Sequence, residues 1–167
     1  MTMKIIVFSM LLWLTACVSR LPQPQVLPIL PFNDAAWFQL EQYDATGQFV
    51  QSSLLAIEQT ADDIRFVQTN ALGAPVARQI FNRQGWHHDG FVMPNAESRR
   101  LFAALLPALA SNGAAVYPQM VRQIEADGEC YQRKGENSWC IQREEKGWRI
   151  RFPHQTQWRV QPIAETE

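Results

Sequence analysis

Apolar and polar residues alternate with a period of two along much of this chain. In "IRFVQTN", Ile64, Phe66 and Gln68 fall on one side, and Arg65 and Val67 on the other. In "KGWRIRFP", Trp148, Ile150 and Phe152 alternate with Arg149 and Arg151; in "QWRVQP", Trp158 and Val160 alternate with Arg159 and Gln161. Successive side chains of a strand point to opposite faces, so these segments are expected as half-buried strands. "AWFQLEQ" (Ala36–Gln42), "FVQSSLLAIEQ" (Phe49–Gln59), "PVARQIFNR" and "WHHDGFVM" read as further strands. Between them lie the breaks Asp44-Ala45-Thr46-Gly47, Ala61-Asp62-Asp63, Leu72-Gly73 and Gln84-Gly85. Turn signals about 8–12 residues apart predict an antiparallel meander. For the short runs "LLAIEQ" and "VARQIF", helix stays open as an alternative. Tyr117 to Ala126 is ambiguous.

One segment has a different period. "NAESRRLFAALLPALASNG" sets Leu101, Leu105 and Leu109 at i, i+4 and i+8, with Phe102 and Leu106 beside them. That is the apolar stripe of an amphipathic helix. Asn95 is a capping residue, Glu97 suits the positive end of the helix, and Asn112-Gly113 supplies a stop. Pro107 removes the bond to Ala103, so a kink or a two-piece helix is expected there. The stripe has two readings: it closes a core, or it lids a concave sheet and leaves an apolar pocket.

The first residues carry an address. Lys4 precedes the apolar run Ile5 to Leu14, which ends in Leu14-Thr15-Ala16-Cys17. The run is too short to span a bilayer, which takes about 20 residues, and matches a signal-peptide core of about 7–15. The aliphatic–small–small–cysteine ending resembles the lipobox of bacterial lipoproteins. The resemblance implies removal of residues 1–16 and lipidation of Cys17, where three acyl chains give stable anchoring. An ordinary secretory signal with an incidental cysteine is the alternative. Val18 follows the cysteine where an inner-membrane retention signal would have aspartate, so the periplasmic face of the outer membrane is expected. Residues 17–34 hold "VSRLPQPQVLPILP", whose prolines favour an extended tether. Residues 35–167 then form a single domain.

Composition narrows the partners. The formal charge is −1, and loss of Lys4 with the signal makes it more negative. A near-neutral chain lacks the clustered cations that nucleic acid requires. Six Trp and nine Phe are a heavy aromatic load, suited to a core or to an apolar cavity. With Cys17 lipidated, Cys130 and Cys140 remain in an oxidising compartment. A hairpin centred on Gly135 would set Cys130 against Cys140, Tyr131 against Trp139 and Gln132 against Ser138. A cross-strand disulfide is the expectation; free thiols or a metal site are the alternatives, and no neighbouring histidines complete a zinc set.

Catalytic signatures are missing: no G-x-S-x-G, H-E-x-x-H, phosphate-binding glycine loop or C-x-x-C occurs. His87-His88-Asp89 is the one provocative cluster. On a strand its histidines point to opposite faces, and Asp89-Gly90 is a turn signal. A structural role stands beside an acid–base or metal role. His154 reads as a loop residue. No catalytic residue, metal or cofactor is expected.

Residues 52–109 carry a more specific likeness. Ser53-Leu54-Leu55, Arg65-Phe66-Val67, Leu72-Gly73-Ala74-Pro75, Trp86 with Asp89-Gly90-Phe91, Pro94-Asn95 and Leu101-Phe102-Ala103-Ala104-Leu105-Leu106 resemble a proteobacterial lipoprotein family, the domain of unknown function DUF3261. Members are similar in size and layout to the outer-membrane lipoprotein receptor LolB and are often encoded beside aryl-polyene biosynthesis genes. The likeness implies an α+β fold: a LolA/LolB-like curved antiparallel sheet, a half-barrel, with helices covering its concave face. It implies a non-enzymatic protein that holds acyl chains, a lipoprotein or an aryl-polyene lipid, with a periplasmic carrier as a possible partner. Cys130 and Cys140 depart from the family pattern. The expected wall of the binding site is Phe66, Trp86, Phe91, Leu101, Phe102, Leu105 and Leu106, with Trp148 and Trp158 from the C-terminal strands. The alternatives are an interaction lipoprotein whose aromatic face docks a partner, and an acyl-ester hydrolase using His87 or His88.

Overall fold

The computed structural model describes residues 21–32, 35–111, 113–126, 128–153 and 156–163. Cys17, the signal segment and His154 lie outside the described residues. Five strands come first: β1 (Ala35–Tyr43), β2 (Phe49–Gln59), β3 (Asp63–Asn70), β4 (Pro75–Asn82) and β5 (Gly85–His88). The helix α1 (Ala96–Leu109) and a 3-10 turn (Gly113–Ala115) follow. Then come β6 (Val121–Glu125), β7 (Gly128–Arg133), β8 (Glu136–Glu144), β9 (Gly147–Arg151) and β10 (Gln157–Pro162). All pair antiparallel in one open sheet, in the order β5-β4-β3-β2-β1-β10-β9-β8-β7-β6. Two five-stranded meanders are thus joined by the pairing of β1 with β10, where Leu40 opposes Val160 and Gln42 opposes Trp158.

The sheet is curved. α1 approaches β4 on one flank and β8 and β9 on the other. β4 and β8 stand six strand steps apart, about 29 Å across a flat sheet at about 4.8 Å per step. The 14-residue helix is only about 21 Å long. Strands on both flanks reach it only if the sheet wraps round it, with β1, β2 and β10 as the floor. Side chains fill the space between. Leu101, Phe102, Leu105 and Leu106 of α1 are fully buried against Phe38, Leu40, Leu55, Ile57 and Val160. Phe66 stacks on Phe102 with ring centroids 5.1 Å apart.

Local chemistry explains most boundaries. Asn95 Oδ1 accepts from the backbone N–H groups of Glu97 and Ser98, the expected cap. At Pro107 the helix does not divide into two pieces, because α1 runs through it to Leu109. Proline leaves the Ala103 carbonyl without its helical donor, and the Tyr117 hydroxyl donates to that oxygen at 2.7 Å. The fifth strand is shorter than expected, ending at His88. Gly90 then takes a positive φ of 83°, and the chain leaves the sheet.

The β7–β8 hairpin has the expected disulfide between Cys130 and Cys140. Cys130 opposes Cys140 and Tyr131 opposes Trp139, but the register shifts next, so Gln132 opposes Asn137 rather than Ser138. The turn is the two-residue Lys134-Gly135, both with positive φ, instead of one centred on Gly135. A bulge absorbs the extra residue.

The N-terminal segment is also closer to the domain than a spacer would be. Leu30 is buried, and Leu27 and Phe32 pack against the core. Leu30 N–H donates to Gln59 Oε1, Gln59 Nε2 to the Pro28 carbonyl, and Trp86 Nε1 to the Pro22 carbonyl. The expected tether of residues 17–34 is therefore corrected for residues 21–32. Its prolines favour extended backbone, and that backbone offers carbonyls to the sheet's side chains.

Candidate binding site beneath the helix

The concave face is layered. Its greater part is hydrocarbon, but nearly every strand of the first meander places one polar side chain on it, inside an otherwise apolar row. These are Gln42 on β1, Ser53 on β2, Gln68 on β3 and Gln79 on β4, all buried. Each lies diagonally next to the last: Gln42 opposes Gln51, Ser53 opposes Asn70, and Gln68 opposes Ala77. Together they form one diagonal row across four strands. The belt is held by its own hydrogen bonds. Gln51 Nε2 donates to Gln42 Oε1 at 2.7 Å, and Gln68 Nε2 to Ser53 Oγ at 2.9 Å. Gln79 Nε2 and His88 Nδ1 lie 2.9 Å apart at its far end.

α1 meets this belt with its first turn. Gln42 Nε2 donates to Glu97 Oε2 at 2.8 Å. Ser98, next along, is one turn before Phe102 and so lies between the level of Gln42 and that of Phe66. Trp158 opposes Gln42 from β10. Gln68 Oε1 on β3, Ser98 Oγ on α1 and Trp158 Nε1 on β10 are among the buried polar atoms with no protein partner. All three residues are at most 2 % exposed. Buried polar groups are normally satisfied, and leaving one unmet costs about 1–3 kcal/mol. Near Gln42 a cleft of about 390 Å³ is lined by Asp44, Ala45, Ala96, Glu97, Arg100 and Thr156. Asp44 lies two residues beyond Gln42 and Thr156 two before Trp158, so the cleft adjoins the β1–β10 end of the polar row. The Asp44 carboxyl is held below its usual range by a hydrogen bond from Thr46 and backbone donors.

Most of the expected wall residues come together, as a filled interior. Phe66, Leu101, Phe102, Leu105 and Leu106 are fully buried, and Trp158 nearly so. Trp86 is half-buried between Phe66 and Phe81, at 5.6 and 5.1 Å. Trp148 packs on Phe38 at 6.3 Å, with the Arg143 guanidinium 5.6 Å from its ring. Phe91 is the exception and a correction. It is fully exposed in the loop after β5, because Gly90 turns the chain out of the sheet before Phe91 can alternate inward.

The His87-His88-Asp89 cluster is dispersed. His87 opposes Ile80 and His88 opposes Gln79, so their side chains leave opposite faces. His87 Nε2 lies 3.1 Å from Asn82 Oδ1. Asp89 accepts from Arg78 at 2.8 Å and lies 3.7 Å from Arg65. Glu125 lies beside Cys130 and Cys140, but those sulfurs are bonded to one another.

The belt itself was missed in the sequence. Its signal was present: Gln68 already sat on the side of Ile64 and Phe66, and Gln42, Ser53 and Gln79 occupy the equivalent inward positions. Only pairing makes them neighbours. Among the described residues, no helix is long and apolar enough to cross a membrane. No protein-family model matches the chain, and a comparison with curated proteins finds none similar to it.

Proposed function

We propose that this chain is a lipid-anchored protein of the outer membrane's periplasmic face that accepts a lipophilic molecule beneath α1, without catalysing a reaction. The concave face carries the reading: a buried row of polar side chains, tied at Gln42 to Glu97 on the wall of a cleft, borders an interior of hydrocarbon. That is the order in which an amphiphile presents its head and its tail. The likeness of residues 52–109 to the DUF3261 lipoproteins, and through them to LolB, supports the same cargo class. The lipobox-like Leu14-Thr15-Ala16-Cys17 supports the address.

The filled interior means that α1 must yield to the guest. Its buried face, Leu101, Phe102, Leu105, Leu106 and Leu109, is hydrocarbon and makes non-directional contacts. An acyl chain replaces them in kind, each buried methylene being worth about 0.8 kcal/mol. Transfer between carriers then needs only a difference in affinity.

The test uses the full chain with Cys17→Ser, kept free of detergent. Uptake of the fluorescent apolar probe 1-N-phenylnaphthylamine, and its displacement by lauroyl compounds, is the expected result. Native mass spectrometry should find lipid on the freshly purified protein. A chain that neither carries lipid nor takes up the probe refutes the carrier reading.

One observation favours a second reading, an interaction lipoprotein of an envelope assembly. The edge strand β6 is exposed at all five residues, with Val121 and Ile124 among them. An open strand edge is a template for pairing with another chain. Capture of one stoichiometric protein partner by a chain that takes up no lipid would favour it.

A further inference from the structure

We infer that residues 22–30 are a latch that holds α1 shut on the sheet, and that a guest is admitted when this segment lifts. This rests on the carrier reading above and names the step that regulates access to that site. The segment lies between two bodies and is hydrogen-bonded to both. On the sheet side, Gln59 at the end of β2 donates from Nε2 to the Pro28 carbonyl at 2.8 Å and accepts from the Leu30 N–H at 2.9 Å. Trp86 Nε1 on β5 donates to the Pro22 carbonyl at 3.2 Å. On the helix side, the Ser111 N–H, just past the end of α1, donates to the Ile29 carbonyl at 3.2 Å. Gln119 Nε2, in the same connection from α1 to β6, donates to the Gln23 carbonyl at 2.9 Å.

The connection moves with the helix. Tyr117 within it bonds the Ala103 carbonyl of α1, and Val116 and Tyr117 are buried with the helix in one core. Parting this unit from the sheet therefore breaks the latch, whichever guest enters. The apolar face of α1 makes contacts that hydrocarbon replaces in kind. A hydrogen bond is directional, and hydrocarbon offers it neither donor nor acceptor. Water does. Gln119 is exposed, and Gln59 and Trp86 are half-buried, so the freed groups are solvated as the segment lifts. The bond from Gln42 to Glu97 lies at the other end of α1, in its first turn, and gives the movement its pivot.

The segment is built to release. Pro22, Pro24, Pro28 and Pro31 have no N–H to give to a strand ladder, and residues 21–32 form neither helix nor strand. Val26 and Ile29 are already exposed, so lifting the segment brings little of their surface into water. A stretch with few buried contacts opens at lower free energy than strands paired on both sides. Leu30 is seated in the core, and its withdrawal vacates a place among hydrocarbon.

The experiment uses the full chain carrying Cys17→Ser and the probe 1-N-phenylnaphthylamine. Hydrogen exchange read by mass spectrometry should speed up in residues 21–32 and 113–120 when the probe is bound, while β1 and β10 exchange as before. Gln59→Ala with Gln119→Ala removes a clasp on each side of the latch, and its uptake of the probe should be about tenfold faster. Should that pair fail to fold, Gln119→Ala alone, whose bond is exposed, should still speed uptake about threefold. Uptake by these variants at the parent's rate or slower overturns the inference while leaving the carrier reading intact. So does a latch whose protection is unchanged or increased by the bound probe. Failure of the unmutated chain to take up the probe overturns both.

Discussion

The Tyr117 hydroxyl donates to the Ala103 carbonyl at 2.7 Å, replacing the bond that Pro107 cannot make within α1. Tyr117 is fully buried, and burial holds its phenol well above the ordinary tyrosine range. It therefore stays a donor throughout the working range of pH. Tyr117→Phe removes the donor and strands a buried carbonyl, which is expected to cost about 1–3 kcal/mol. Urea unfolding followed by tryptophan fluorescence measures it. A loss under about 0.5 kcal/mol would show that α1 tolerates Pro107 without help.

The wall residues should divide sharply. Phe66→Ala empties the position stacked on Phe102 and is expected to cost about 3–5 kcal/mol. Phe91→Ser, in the exposed loop, should stay within about 0.5 kcal/mol of the parent. Thermal unfolding of the two variants side by side checks that Phe91 lies outside the core.

The disulfide staples a hairpin whose cysteines are 10 residues apart in sequence. Constraining so short a loop in the unfolded chain is worth about 2–3 kcal/mol. Cys130→Ser with Cys140→Ser should lower the melting temperature, and dithiothreitol should lower the parent to the same value. A parent insensitive to reduction, with both thiols already free to alkylation, would contradict the bond.

Acid should weaken the sheet in a traceable way. Burial pushes the Glu144 carboxyl up, but Arg149, at 2.6 Å, and Arg159, at 3.0 Å, more than reverse it and hold it below the usual range. A bidentate hydrogen bond from Arg122 holds Glu129 below it too. A depressed folded pKa contributes stability above the unfolded value, about pH 4.3, and loses it as pH falls through the folded value. The melting temperature should therefore decline below about pH 4.3. Glu144→Gln should start lower at pH 7 and decline less. Parallel curves for the two proteins would remove Glu144 from the account.

Gly147 opens β9 at a φ of 139°, and a Cβ there would collide with the Val160 carbonyl of β10. Gly147→Ala is expected to cost about 1–3 kcal/mol from the backbone conformation alone, before the collision is relieved. Chemical denaturation gives the value. A neutral substitution would mean that β9 and β10 pair less closely than described.

The strands, the capped helix and the cysteine pairing were legible because they rest on neighbours in sequence. Alternation at Ile64, Phe66 and Gln68, the stripe from Leu101 to Leu109, and the spacing of Cys130 and Cys140 are each set within a few residues by the pleat, the helical turn and the hairpin. What needed the tertiary structure depends on pairings between distant segments. The bulge that sets Gln132 against Asn137 depends on how two strands twist together. Continuity through Pro107 depends on Tyr117, which reaches α1 only after the chain has turned back. Packing of residues 21–32 depends on Gln59 and Trp86 being near enough to donate. The belt depends on register: Gln42, Ser53, Gln68 and Gln79 are isolated polar residues until the pairing of four strands sets them diagonally side by side. Sequence determined which face each of them occupies, since side-chain direction alternates along any strand. Only the register of the assembled sheet decided that they lie beside one another, and only its packing decided that Gln42 meets the first turn of the helix.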